Sequence, residues 1–409
     1  MRTLNVRLLY TKDGEKMYIR QLVMGFRGME PIMAPHCRSV SIIILLIVKM
    51  DLKFYQAMLL LSGRQIYFRY IMKRLLHLVV VFAAGMPLAL AQQKPQYTQY
   101  VFNNLLLNPA VTGIENYTDV KAGYRSQWTG LQGAPVTSYL TIDAPIGNNF
   151  IQGDATASPA EGGENPSSRL YTQNYMAAEP HHGIGFMLVS DQTGPITQTT
   201  IDATYAYHLG LTDRINLAVG VAAGVSNINL NTSVLTLETP FDPAIANGTN
   251  SQWTPDLSTG IWLYSSNYYF GASVQEVLPE NLYFSTNNAY NKSKTVPQYF
   301  VTGGVKLFLN DDITLLPSFL IKEINPTPLT YDINAKFSFQ DKVWIGASYR
   351  HNDSFGVLAG LNISSFINIG YSYDITTSAL NTVSNGTHEI VISLLLNNRY
   401  KVTCPQRSF

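Results

Sequence analysis

Through most of the chain after residue 116, apolar and polar residues alternate one by one. The clearest stretch is Tyr331–Gln340: Tyr331, Ile333, Ala335, Phe337 and Phe339 take the odd positions, and Asp332, Asn334, Lys336, Ser338 and Gln340 the even ones. Successive side chains of a β-strand point to opposite faces, so this segment has one apolar face and one polar face. The division recurs at 117–128, where Val120, Ala122, Tyr124 and Trp128 oppose Asp119, Lys121, Gly123, Arg125 and Gln127. It recurs again at 366–374, where Ile367, Ile369, Tyr371 and Tyr373 oppose Asn368, Gly370, Ser372 and Asp374. The pattern predicts strands near 117–128, 136–144, 182–190, 196–208, 214–228, 255–264 and 267–276. Further strands are predicted near 298–309, 312–321, 328–338, 341–351, 353–363, 365–374 and 387–399.

Two architectures share this periodicity. A soluble sandwich buries the apolar faces, whereas a membrane barrel turns them to lipid and the polar faces to a lumen. Connection lengths favour the barrel, in which short turns at one end alternate with long loops at the other. Gly210–Asp213, Ser265-Ser266, Asn310-Asp311, Gln340-Asp341 and Ser364 are tight and fall on the expected periplasmic side. The connections 229–254, 277–297 and 375–386 are long and fall outside. Residues 145–181 break the rule, being long and rich in Gly, Pro, Ser and Asn on the periplasmic side. They read as a solvated insertion or as a missed pair of strands, and the lack of alternation over 151–168 favours the insertion.

Composition agrees. Charged residues make up 13% of the chain, about half the share usual in soluble domains, and no apolar run of helical membrane-spanning length follows residue 91. The fold class expected is therefore all-β: a transmembrane antiparallel β-barrel of about 14 strands, preceded by a signal peptide.

The signal peptide is read at 72–91. Lys73 and Arg74 supply positive charge, Leu75 to Leu88 an apolar core, and Ala89-Leu90-Ala91 a small-residue processing site, so the mature chain is expected to begin at Gln92. Residues 1–71 lack strand, cap or turn patterning and read as an upstream extension from a start assigned too early; a cytoplasmic or membrane-anchored extension is the alternative. Residues 1–91 carry 13 Lys+Arg against 4 Asp+Glu, and residues 92–409 carry 15 against 23. A basic leader on an acidic body is a targeting pattern, and the acidic body argues against nucleic acid as a partner. The expected order is thus 72–91 signal, 92–116 periplasmic amino-terminal segment, 117–400 barrel and 401–409 tail. Tyr97 to Gly113 is too polar for a strand in lipid, and is expected to tuck into the lumen or to cover the periplasmic mouth.

Candidate chemistry is sparse. Only Cys37 and Cys404 occur, one of them in the leader, so neither an internal disulfide nor a cysteine metal site is expected in the mature chain. No phosphate-loop, zinc-protease, nucleophile-elbow or C-x-x-C motif is present after the leader, and neither a cofactor nor a catalytic residue is assigned. His181-His182 reads as a solvated pair in a polar loop rather than a metal site, and Asp191-Gln192-Thr193-Gly194 reads as a hairpin turn. Asp119, Lys121, Arg125, Asp332 and Lys336 are expected to face the lumen as a salt-bridged lining, with gating or plug binding as the alternative.

The segment after the leader contains Tyr97-Thr98-Gln99-Tyr100, Asn103-Asn104 and Leu107-Asn108-Pro109-Ala110-Val111-Thr112-Gly113. It resembles the opening motif of the PorP/SprF family of outer-membrane proteins of the type IX secretion system. Arg125-Ser126-Gln127-Trp128 with Gly133-Ala134-Pro135, Gly183-Ile184-Gly185 with Asp191 and Gly194, Gly370-Tyr371-Ser372-Tyr373-Asp374, and Thr387-His388-Glu389-Ile390 continue the likeness in order, over about residues 97–400. Tyr100, Asn108, Pro109, Gly113, Arg125, Trp128, Asp191, Gly194, Tyr371, Tyr373, Asp374, His388 and Glu389 are the motif positions. The resemblance implies a non-enzymatic outer-membrane protein that assists export or surface anchoring of cargo with a C-terminal sorting domain, such as gliding adhesins. Its implied partners are outer-membrane lipids, that cargo, and periplasmic secretion or peptidoglycan-linking proteins. A passive channel or ligand transporter is the competing reading, and an outer-membrane enzyme a third.

Overall fold

In the computed structural model, residues 95–147, 177–235, 251–282 and 293–397 are described, apart from Asp311, Pro326, Asp341 and Ser365. The leader, the Ala91–Gln92 processing point, most of the 145–181 connection and the 401–409 tail lie outside them.

Fourteen antiparallel strands form one closed sheet. They are β1 Thr118–Ser126, β2 Val136–Ile146, β3 His181–Thr193, β4 Ile196–Thr212, β5 Ile215–Leu230, β6 Ser251–Tyr264 and β7 Tyr268–Gln275. The second half comprises β8 Gln298–Val305 (continued by Leu307–Phe308), β9 Ile313–Ile324, β10 Thr330–Phe339, β11 Val343–Arg350, β12 Ser354–Asn362, β13 Ile367–Thr376 and β14 Thr387–Leu396. The ring closes where β1 pairs with β14, from Thr118 opposite Leu396 to Ser126 opposite His388. Closure leaves no sheet edge, which is the condition for β-structure to sit in hydrocarbon. No helix among the described residues is long and apolar enough to cross a membrane.

All fourteen expected strands are present. The first ends two residues before expectation, because Trp128 has φ +49° and leaves the strand. β2 pairs directly with β3, from Val136 opposite Gln192 to Ile146 opposite His182. That ladder leaves no place between β2 and β3 for an extra pair of strands; residues 148–176, on which the insertion reading falls, lie outside the described residues.

Face alternation in the barrel follows the sequence pattern. On β10, Ile333, Phe337 and Phe339 are exposed on the outside, while Asp332, Asn334, Lys336 and Ser338 are buried within. Exposed aromatics ring both ends of the outer wall: Tyr124, Tyr349, Phe355 and Tyr371 at the loop end, and Tyr205, Tyr207, Phe270 and Phe366 at the turn end. Such girdles mark the two membrane interfaces, and the end with short turns is the periplasmic one.

The core lies inside the lumen. Residues Pro95–Tyr117 make three 3-10 turns, Gln99–Val101, Asn104–Leu106 and Pro109–Val111, that run through the barrel. Tyr97, Tyr100, Leu106 and Leu107 of this plug pack on Tyr139, Met187, Val189, Phe300, Leu320, Trp344, Leu358 and Val391 of the wall. Nearer the turn end, Ala110 and Ile114 pack on Ala218, Trp262, Tyr264, Tyr269 and Leu316. Burial of this apolar surface, at about 25 cal/mol per Å², favours the plug inside the barrel over a free segment.

Candidate functional site

The plug meets the wall at three levels, each built from residues on several strands. At the loop end, Arg125 on β1 binds Glu389 on β14 through Nη1 (2.9 Å) and Asp374 on β13 through Nη2 (3.0 Å). The same Nη1 donates to the Thr98 hydroxyl (3.0 Å), which in turn donates to Asp374 Oδ2 (2.6 Å). Glu389 Oε2 accepts the backbone N–H groups of Thr98 (2.7 Å) and Gln99 (3.2 Å), and its Oε1 accepts the Tyr139 hydroxyl (3.0 Å). Beside this network Arg350 pairs with Asp332 (3.0 Å) and Asp353 (3.4 Å) and donates to the Tyr97 carbonyl (2.9 Å). Charge-assisted bonds to backbone groups hold a short peptide more firmly than neutral ones.

The middle level is set by the Asn-Pro turn. Asn108 caps the third 3-10 turn by accepting from the Ala110 N–H (2.9 Å), and Pro109 occupies the first position, where a missing N–H costs nothing. Its Nδ2 donates outward to the carbonyls of Ile261 (2.9 Å) on β6 and Ala272 (3.2 Å) on β7. Ser273 and Gln275 donate to the carbonyls of Leu107 (2.6 Å) and Leu106 (2.8 Å), Asn334 to the Tyr100 hydroxyl (2.7 Å), and Asn103 to Thr141 (3.0 Å). This approach depends on glycine. A Cβ on Gly220 would fall on the Pro109–Ala110 backbone, and one on Gly260 on the Asn108 side chain.

At the turn end, Gly113 (φ +71°) donates its N–H to Asp143 (2.8 Å). The Thr112 carbonyl accepts from His208 Nε2 (2.9 Å), while His208 Nδ1 accepts the Tyr264 hydroxyl (3.0 Å). His181 stacks flat on His208, 4.5 Å between ring centres, with its Nε2 3.2 Å from the Gly113 carbonyl. The expectation of a solvated His pair is therefore corrected: β3 begins at His181 itself, and strand parity sends His181 into the lumen and His182 outward to Tyr205 (2.6 Å). Nearby, Lys121 pairs with Asp119 (2.6 Å), which also accepts from Ser393 (2.8 Å). Lys336 is buried in the lumen over the Trp344 ring.

The motif positions thus divide. Tyr100, Asn108, Pro109, Gly113, Arg125, Asp374 and Glu389 meet in the plugged lumen. Asp191 sits at the loop end and accepts from Thr137 (2.6 Å) and Thr193 (3.0 Å); Gly194 (φ +57°) makes the hairpin turn that the sequence suggested. Trp128 lies in the β1–β2 loop, its backbone N–H bonded to Thr387 (3.1 Å). Tyr371 and His388 join on the outer face (2.7 Å), and Tyr373 donates to the Asn385 carbonyl (2.9 Å). Sequence reasoning missed Arg350, Asp143, His208 and the Gly220–Gly260 slot. Strand parity places Arg350 on the lumen face beside Asp332, but nothing local marks the others as plug contacts. Among the described residues no group of three or more His, Cys, Asp or Glu is arranged to hold a metal ion.

A closed barrel with a lipid-facing exterior and a lumen occupied by its own amino-terminal segment defines a plugged membrane β-barrel. Residues 89–394 match the family model described as type IX secretion system membrane protein PorP/SprF, and the chain belongs to the PorP/SprF family. It is an outer-membrane component of that secretion system. Among solved structures it is similar to the Ralstonia pickettii toluene transporter TbuX (TM-score 0.44, 10% identity, 76% of this chain and 96% of that one). It is also similar to the Acinetobacter baumannii outer membrane protein Omp33 (TM-score 0.40, 8% identity, 70% and 100%) and to a TodX monoaromatic hydrocarbon channel mutant (TM-score 0.41, 10% identity, 72% and 94%). Likeness at this distance carries nothing about what the chain binds or transports. No match was found among curated proteins.

Proposed function

We propose that this barrel is a non-enzymatic partner in export, assisting secretion or surface anchoring of cargo with a C-terminal sorting domain, such as gliding adhesins. The observation that carries this reading is the plug. A lumen crossed by Pro95–Tyr117 and bonded to it at three levels suits a barrel that works through its end surfaces rather than as an open channel. In lipid, the backbone must be closed in the barrel, and with the lumen filled by the plug the loops and turns are the surfaces free for partners. Cargo would meet the loop end, and periplasmic secretion or peptidoglycan-linking proteins the turn end. The reading includes a leader processed between Ala91 and Gln92, with residues 1–71 outside the mature protein.

The test is affinity capture of the tagged mature protein from detergent-solubilised outer membranes, with mass spectrometry of what accompanies it. Recovery of sorting-domain cargo together with periplasmic secretion components is the expected result. Recovery of the barrel alone, under conditions that preserve a secretion complex, together with high conductance in planar bilayers, would overturn it in favour of a channel.

A further inference from the structure

The direction in which the plug runs has a topological consequence. Thr98 touches Arg125, and Arg125 lies seven extended residues along β1 from Thr118, a rise of roughly 20 Å. Thr98 therefore sits at the loop end of the barrel, although it precedes β1 by only twenty residues in sequence. Tyr97 is held there by Arg350, the last residue of β11, while Thr112 and Gly113 are held at the turn end by His208 and Asp143. The chain accordingly descends through the lumen from the loop end and then climbs back as β1.

Among the described residues, a large space opens beside Pro95 and Gln96 at the loop end. It is a cavity of about 540 Å³, bordered also by Trp128, Asp191, His351 and Asn352. The cavities flanking the plug below them measure only about 30 and 20 Å³, the share of a single water and far too little for a second pass of backbone. We propose that the plug is threaded with its outer end towards the cell exterior: Pro95 and Gln96 lie at the cell-surface mouth of the barrel, beside the outer cavity. β14 ends at the periplasmic end, at Leu396. The outer end of the plug is then presented to the cell exterior, and the short turns to the periplasm.

Site-directed cysteine labelling on intact cells tests this, in a full-length background carrying Cys37→Ser and Cys404→Ser. Gln96→Cys reports the outer end of the plug, Val383→Cys the β13–β14 loop, and Arg214→Cys the exposed β4–β5 turn. With a membrane-impermeant maleimide, Gln96→Cys and Val383→Cys should label as strongly before permeabilisation as after it. Arg214→Cys should label only after it. Gln96→Cys behaving like Arg214→Cys, or the whole pattern reversed, overturns the proposal. A short epitope inserted between Lys94 and Pro95 gives a second readout that does not depend on the reactivity of one thiol. Antibody binding on intact cells supports the threading, and binding only after lysis overturns it. None of these measurements involves cargo, so they stand or fall separately from the export reading.

Discussion

Replacing Arg125 with methionine should be the most damaging single change in the lumen that leaves the strands' own hydrogen bonds untouched. The side chain is 2% exposed, and its carboxylate partners Asp374 and Glu389 are 3% and 0% exposed. Methionine fills much of the volume but leaves two buried carboxylates without their cation. Breaking a buried ion pair from one side costs about 3–5 kcal/mol, because the remaining charge has neither solvent nor counter-charge. The loss will not fall evenly. Glu389 keeps two backbone N–H groups and the Tyr139 hydroxyl, whereas the Thr98 hydroxyl is the neutral donor that holds Asp374. Asp374→Asn in the Arg125→Met background should therefore recover a substantial part of the loss. Guanidinium unfolding in lipid vesicles, extrapolated linearly to zero denaturant, gives the free energies. Trp344, stacked against Phe102 of the plug at 6.2 Å between ring centres, supplies a fluorescence report of the plug itself. An Arg125→Met barrel within about 1 kcal/mol of the parent, or no recovery on adding Asp374→Asn, would refute the assignment of this network as a buried anchor.

Three further substitutions separate the plug from the wall. Gly220→Val should leave the β4–β5–β6 ladders formed but push the Asn-Pro turn off the wall, seen as raised conductance in planar bilayers; a conductance equal to the parent's would count against the glycine slot. Asn108→Ala removes a cap and two bonds to wall carbonyls, a loss of about 1–3 kcal/mol measurable by the same unfolding assay; no measurable change would show that the turn is held by packing alone. Ile392→Arg puts a charge on the lipid face at mid-strand, opposite Ala122 of β1, at a cost of about 2–4 kcal/mol near the bilayer midplane. A neutral result in vesicles would mean that this face of β14 does not meet hydrocarbon.

Lipid is the reason so much of the wall was legible. It demands an apolar residue at every second position, and that demand is met by local sequence, so fourteen strands could be placed within a few residues. What the other face meets is not local. Leu316 and Leu320 on β9, Leu358 on β12 and Val391 on β14 point inward and make both faces of their strands apolar in part. Alternation weakens there because the plug, rather than water, fills the lumen opposite them. His181 was misjudged for a related reason: a single residue of strand boundary decides whether it faces solvent or His208. Gly220 and Gly260 read as ordinary small strand residues until the Asn108–Ala110 backbone, more than a hundred positions earlier, is laid against them.

Barrel closure explains why the resemblance blocks at opposite ends of the chain belong to one device. The block containing Arg125 lies on β1, the block containing Glu389 on β14, and the block ending in Asp374 on β13. Because the first strand pairs with the last, Arg125 falls directly opposite Glu389 in the β1–β14 ladder, and Asp374 pairs with Thr387 on the far side of β14. Three segments separated by up to 264 positions thus become neighbours only when the ring shuts. Thr98 and Gln99 of the plug then bond to the carboxylates those strands present. The loop-end anchor needs two events together, pairing of the terminal strands and presence of the plug. Without the plug, Arg125 keeps both ion pairs but Glu389 loses two backbone N–H donors and Asp374 the Thr98 hydroxyl; without the β1–β14 pairing, both carboxylates lose their cation, which ties firm seating of the plug to completion of the barrel.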